Sequence, residues 1–281
     1  MKIGIIGLGL IGGSLAIDLR QLGHLVLGVS RRQQTCDQAI ARSVVDQAST
    51  NLELAAQAEL IFICTPLSDI ESTVLKLIPY LSEQTVLTDV GSVKAPVVQS
   101  IAPHWPNFVG GHPMAGTAAA GLDAAQAHLF AGRAYVLTPM ATTPITAIER
   151  VAGIANALQA QVHQCDPAQH DQAVAWISHL PVMVSASLIQ ACLSETDLTV
   201  LKLAQKLASS GFRDTSRVGG GNPDLGVLMA KYNQDEVLRS LYTYRHQLNH
   251  LIAQIEQQNW PEIEQQFRQT QAARPNFVQE D

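Results

Sequence analysis

Charge is scarce in this chain of 281 residues: Asp, Glu, Lys and Arg make up 15% of it, and the formal net charge is −6. No basic block offers a surface that tracks phosphates, so nucleic acid is excluded as an expected partner. Cysteine is scarce as well. Cys36, Cys64, Cys165 and Cys192 are scattered without a CxxC pair, which suits a reducing cytoplasm rather than a disulfide framework. Met1-Lys2 runs straight into an apolar strand, so no signal peptide is expected there. The longest apolar run, around 180–192, is interrupted by serines and reads as too short to span a bilayer, so no membrane partner is expected. There is no GxSxG elbow, and the spacing of His163, Cys165 and His170 fits no metal pattern, so neither a hydrolase nor a metal site is expected. Internal repeats and disordered linkers are missing too. What remains is a soluble cytoplasmic protein, 47% hydrophobic, long enough for one large domain or two ordinary ones.

What is present begins at residue 3. The β-branched run 3–6 reads as a buried parallel strand, and Gly7-Leu8-Gly9-Leu10-Ile11-Gly12 follows it, before a stretch 14–21 with helical spacing that closes at Gly23. Strand, glycine turn and helix in this order form a dinucleotide-binding start. Gly7 permits the tight turn, Gly9 lets the backbone approach a pyrophosphate, and Gly12 lets helix and strand pack closely. The free N–H groups of the first helical turn, Leu10 and Ile11 among them, then hold the phosphates. A second strand at 24–29 leads into Ser30-Arg31-Arg32, where an NAD site usually places an acidic residue. A carboxylate would repel a 2′-phosphate, whereas Ser and Arg bind one through charge-assisted hydrogen bonds, so NADP is expected as cofactor.

Further strands are expected at 60–64, 85–88, 108–109 and 135–137, the last of them followed by a helix capped at Thr143-Pro144. Ser68 and Glu71 match a capping box for a helix over 69–80. Strands alternating with helices imply an α/β, Rossmann-type, doubly wound and mostly parallel sheet, with ligands beyond the carboxyl ends of its strands. Thr65, Ser92 and His112 all lie at such ends. From about residue 166 the strand signals stop and helices take over, giving a dinucleotide-binding domain over 1–165 and an all-α domain over 166–281. A long helix bent near Pro181 comes first, then a helix over 197–207, a loop carrying Phe212-Arg213-Asp214-Thr215-Ser216-Arg217, and a helix capped by Asn222. The final helix carries an apolar stripe of Val237, Leu241, Tyr244, Leu248, Leu251 and Ile255. That stripe is either core or a subunit seam, and a homodimer built through the helical half is favoured.

His112 is the strongest catalytic candidate, because a histidine near its ordinary pKa is neutral at physiological pH and accepts a proton from an alcohol. Ser92 holds His112 or a substrate hydroxyl, caps the following helix, or does both. Arg213 and Arg217 clamp a substrate carboxylate or lie on the surface. His179 either faces the same crevice or is buried in the helical bundle.

Taken together, Gly7–Gly13 as a motif, Cys64-Thr65-Pro66, Asp89-Val90-Gly91-Ser92-Val93-Lys94, Gly111-His112-Pro113-Met114-Ala115-Gly116, Ser178-His179-Leu180-Pro181 and the 212–217 segment resemble the prephenate/arogenate dehydrogenase family of tyrosine biosynthesis. The resemblance spans nearly the whole chain in family order. It implies a Rossmann domain, a helical dimerisation domain, and oxidative decarboxylation of a cyclohexadienyl acid, in which loss of the ring carboxylate as CO₂ restores aromaticity. It further implies His112 as base, Ser92 as its helper, and Arg213 or Arg217 on a substrate carboxylate, with His179, Gly116 and Thr117 beside the substrate. Cys64, Thr65, Pro66, Gly91 and Lys94 join Gly7, Gly9, Leu10, Ile11, Gly12, Ser30, Arg31 and Arg32 at the cofactor. Two departures bear on specificity. Many prephenate-using relatives carry a second histidine after the proline, where this chain has Val182, and the acidic residue of NAD users is missing. Both tilt the expectation towards arogenate and NADP, with prephenate as the alternative substrate. Another NADP oxidoreductase of the same plan, or a non-catalytic NADP sensor, is the remoter alternative.

Overall fold

The computed structural model describes residues 1–117 and 119–278. Eight strands form one sheet: β1 (Lys2–Ile6), β2 (Leu25–Val29), β3 (Gln47–Ser49), β4 (Leu60–Ile63), β5 (Val86–Asp89), β6 (Phe108–Pro113), β7 (Ala134–Thr138) and β8 (Gln161–Gln164). Their order is β3-β2-β1-β4-β5-β6-β7-β8. The first six run parallel. β7 is antiparallel to β6, and β8 runs parallel to β7. Helices α1 (Leu10–Gln21), α2 (Gln33–Ala41), α3 (Ile70–Leu77), α4 (Ala95–Ile101) and α5 (Ile145–Ala157) connect these strands. The sheet is the expected mostly parallel, Rossmann-like one, with two apolar clusters. Ile3, Ile5, Leu60 and Phe62 belong to one, and Ile6, Ile61 and Ile63 to the other, as period-two alternation requires of strands buried on both faces.

The glycine turn is built as the spacing predicts. Gly7 has φ of +105°, which favours glycine, and a Cβ on Gly12 would lie 1.9 Å from the Gly7 carbonyl oxygen. Only a bare Cα lets α1 start against β1 at this distance.

Several local expectations are corrected. Asp69, not Ser68, stands at the N-cap of α3 and makes no side-chain cap bond; Ser68 Oγ donates to Asp69 Oδ1 instead, so the capping box does not form. Thr143 does not cap α5, because its hydroxyl accepts from Met140 N–H and contacts the Phe108 carbonyl. β8, short and largely exposed, follows the strand expected to be last.

The all-helical half comprises α6 (Pro167–Val174), a π-helical turn (Ala175–His179), α7 (Leu180–Leu193), α8 (Leu198–Leu207), α9 (Ser210–Ser216), α10 (Pro223–Tyr232), α11 (Gln234–Glu256) and α12 (Trp260–Ala273). The side chains of Asp166, Asp197 and Asn222 cap α6, α8 and α10. The π turn absorbs the lost hydrogen bond of Pro181, which sits in the first turn of α7, so the helix continues through the proline. The continuous span Pro167–Leu193 is therefore long and apolar enough to cross a membrane by length and composition, which corrects the reading of 180–192 as too short. Only 11% of its most apolar 18-residue window is buried in the single chain. The segment 212–217, expected as a loop, is α9 running into a 3-10 turn. Chain contacts divide the molecule into compact units Met1–Gln234 and Asp235–Asp281.

Candidate active site

The crevice forms where β6 changes partners. Phe108 and Val109 pair with β5, whereas residues 110–113 pair only with β7. The freed edge of β6 beside the end of β5 is filled by the Asp89 carboxylate, which accepts from Gly111 N–H at 3.1 Å and Gly91 N–H at 2.8 Å. The Lys94 ammonium pairs with the same carboxylate and donates to the Gly111 carbonyl at 2.7 Å. Both side chains are fully buried, and burial pulls the Lys94 pKa down against the opposing pull of Asp89. Lys94, expected at the cofactor, is thus an internal brace between the β5–α4 turn and β6.

His112, next along β6, is 8% exposed. Its Nδ1 lies 2.8 Å from His170 Nε2, and the His170 Nδ1 lies 2.7 Å from Asp171 Oδ1. Burial first, then the neighbouring His170, Lys94 and His179, holds the His112 pKa well below the ordinary histidine range. A neutral imidazole at the ligand-facing edge of such a sheet is chemically a proton acceptor. Ser92 is half-buried in the β5–α4 turn. It does not cap α4, whose N-cap residue is Lys94; the cap is supplied from afar by Asp171, which accepts from Lys94 N–H and Ala95 N–H.

His179 is buried. Its Nδ1 lies 3.1 Å from Asn233 Nδ2, its Nε2 has no hydrogen-bond partner among the described residues, and burial lowers its pKa to about 4. Arg213 and Arg217 are exposed, the former bonded to its neighbour Asp214 at 3.1 Å. Among the described residues no hydrogen bond or ion pair joins either to the His112 cluster. Gly116 and Thr117 are exposed after β6, and Val182 lies near Gly226 of α10. His170, Asp171 and Asn233 are residues that sequence reasoning missed; their contacts with His112, Lys94 and His179 span 58, 77 and 54 residues, too far for local spacing to reveal them.

The glycine turn fits a dinucleotide. A Cβ on Gly9 would meet nothing within 4 Å, and Gly9 as the N-cap residue of α1 supplies no side-chain cap, which leaves the first N–H groups of the helix for a ligand. Nearby at the end of β4, Thr65 Oγ1 is buried with no protein partner, beside half-buried Cys64 and exposed Pro66. At the end of β2, Ser30 is half-buried, and Arg31 and Arg32 are exposed.

Comparison with known proteins decides the family. Residues 15–164 match the prephenate dehydrogenase nucleotide-binding domain, and residues 166–269 match the prephenate dehydrogenase dimerization domain. The chain belongs to the prephenate dehydrogenase family. Its similarity to the crystal structure of Synechocystis arogenate dehydrogenase reaches 53% identity with a TM-score of 0.89, over 99% of this chain and 100% of that one. The prephenate dehydrogenase of A. aeolicus, solved with hydroxyphenyl propionate and NAD+, is 25% identical with a TM-score of 0.93, over 99% and 98% of the two chains. Bacillus subtilis prephenate dehydrogenase is 29% identical over 272 residues, 93% of this chain and 72% of the relative. This prephenate dehydrogenase family member is accordingly an oxidoreductase of aromatic amino acid biosynthesis.

Proposed function

We infer that the protein is a cytoplasmic, homodimeric arogenate dehydrogenase, which converts L-arogenate to L-tyrosine by oxidative decarboxylation with NADP+. The observation that carries the substrate is the 53% identity, end to end, with a protein named an arogenate dehydrogenase. Val182, an apolar residue after the Ser178-His179-Leu180-Pro181 motif, agrees with it. The cofactor reading rests on Ser30-Arg31-Arg32, which follow β2 directly and carry no carboxylate. The contact between Arg31 and Asp69 is 3.4 Å long and the arginine is 83% exposed; such a pair is worth about 0–1 kcal/mol and yields readily to a 2′-phosphate. The domains are assigned as 1–165 for the cofactor and 166–281 for substrate and dimerisation.

Gly7, Gly9 and Gly12 with the amides of Leu10 and Ile11 would hold the pyrophosphate, and Ser30, Arg31 and Arg32 the ribose phosphate. Cys64, Thr65, Pro66 and Gly91 would line the cofactor's inner half, with the unpartnered Thr65 hydroxyl available to it. A bound nicotinamide supplies the hydride acceptor. His112 accepts the proton of the ring 4-hydroxyl and Ser92 hydrogen-bonds to the same hydroxyl, so that hydride can leave C4; loss of the ring carboxylate as CO₂ then gives an aromatic phenolate, to which His112 returns the proton. No protein acid is required for that loss. His179, whose Nε2 is free, Gly116 and Thr117 orient the substrate, and Arg213 or Arg217 neutralises a carboxylate.

Prephenate is the second reading, favoured by the names of the B. subtilis and A. aeolicus relatives. Initial rates with arogenate and with prephenate, each with NADP+ and with NAD+, test both halves. Arogenate with NADP+ is expected to be fastest. A preference for prephenate overturns the substrate, and a preference for NAD+ overturns the role of Ser30-Arg31-Arg32.

A further inference from the structure

Asp171 receives hydrogen bonds at both carboxylate oxygens, from Lys94 N–H at 2.7 Å to Oδ1 and from Ala95 N–H at 2.8 Å to Oδ2. A carboxylate so engaged is an acceptor only. Its third contact, 2.7 Å to His170 Nδ1, is therefore filled by a proton on that nitrogen. In the arrangement that places one proton on each ring, His170 Nε2 then accepts from His112 Nδ1 at 2.8 Å. The proton between the rings thus sits on His112 Nδ1, and His112 Nε2 is left bare. Had His170 donated instead, the single proton of a neutral His112 would sit on Nε2 and the ring could not act as a base there.

Neither of the other two charged or titratable neighbours described beside His112 takes this part. Lys94, which faces His112 from the β5–α4 turn, has its ammonium on Asp89 and the Gly111 carbonyl, and carries no acceptor. His179, from the π turn, contacts Asn233 through Nδ1. We propose that His170, held by Asp171, is a positioning residue that locks His112 in the one tautomer whose Nε2 can accept the substrate's proton. The proposal rests on His112 being the base. It also gives Asp171 two tasks, since the same carboxylate caps the turn that carries Ser92 and thereby ties the base and its helper to one anchor.

The test combines tautomer spectroscopy with kinetics on the full-length protein. In long-range ¹H–¹⁵N spectra, the His112 signals are identified by their loss in His112→Asn. Wild type is expected to show a protonated Nδ1 and a bare Nε2; a protonated Nε2 overturns the proposal. In His170→Leu, His112 is expected to lose that preference and kcat to fall on the order of tenfold to a hundredfold, while KM and cofactor affinity stay within about twofold. His170→Gln, whose Oε1 can accept in place of Nε2, is expected to recover most of kcat where Leu does not. Unchanged kcat in His170→Leu, with turnover lost in His112→Asn, overturns the positioning role alone. Turnover retained in His112→Asn overturns the base reading and this proposal with it. If His170→Leu fails to fold, the wild-type spectrum and His170→Gln decide.

Discussion

Lys94 shows how far one residue's surroundings can depart from what its motif suggests. Beside Gly91 and Ser92 it reads as a cofactor lysine, yet its ammonium is fully enclosed between Asp89 and the Gly111 carbonyl. Two charges buried together cost desolvation that their attraction roughly repays, but removing one leaves the other stranded. Lys94→Met is therefore expected to destabilise the fold by about 3–5 kcal/mol, read as a lower urea midpoint. A lysine that touched cofactor would behave in the opposite way, losing cofactor affinity while the midpoint held. His112 was legible because its motif is local: glycines before it, proline after it, a strand beneath it. His170 and Asp171 were not. Their partners His112 and Lys94 lie 58 and 77 residues away, and in the sequence His170 stands nearest to Cys165 and His163, which suggested a question about metal rather than about a base.

At the scale of elements, the first βαβ unit was readable because each glycine carries a geometric demand. Gly12 is the sharpest case: α1 and β1 meet so closely that a Cβ would overlap the Gly7 carbonyl oxygen at 1.9 Å. Backbone cannot step aside as a side chain can. Gly12→Ala is expected to push α1 off the turn, cost about 1–3 kcal/mol in thermal or urea unfolding, and weaken cofactor binding in a fluorescence titration. A variant with native stability and affinity would remove Gly12 from the turn's logic. Elements set by tertiary contact escaped the sequence. β8 is four mostly exposed residues recruited only by pairing with β7, and α9 was hidden by Gly211 at its start. Pro181 suggested a bend, whereas the structure places a π turn just before it and continues the helix, and that turn leaves no mark in the pattern.

At the scale of the molecule, the outstanding feature is apolar surface without cover. Leu193, Leu198, Leu203 and Leu207 on α7 and α8, and Trp260 and Phe267 on α12, are all more than half exposed. Single apolar residues on a surface are ordinary, whereas successive helices of them mark an interface. The sequence stripe on α11 left core and seam as alternatives; Val237 is 3% exposed and lies in the core, whereas Tyr244, Leu248 and Ile255 are 41%, 45% and 49% exposed, which favours the seam for that part of the helix. Because this half of the chain matches a dimerization domain, the expected cover is a second copy of the chain. Sedimentation should then return twice the chain mass of 30.3 kDa, not that mass itself. A dimer whose folding and pairing are linked also carries a signature that no monomer shares: its Tm rises with protein concentration. A concentration-independent Tm together with a single-chain mass would leave these leucines unexplained by pairing, and would return the apolar span Pro167–Leu193 to the question of what else covers it.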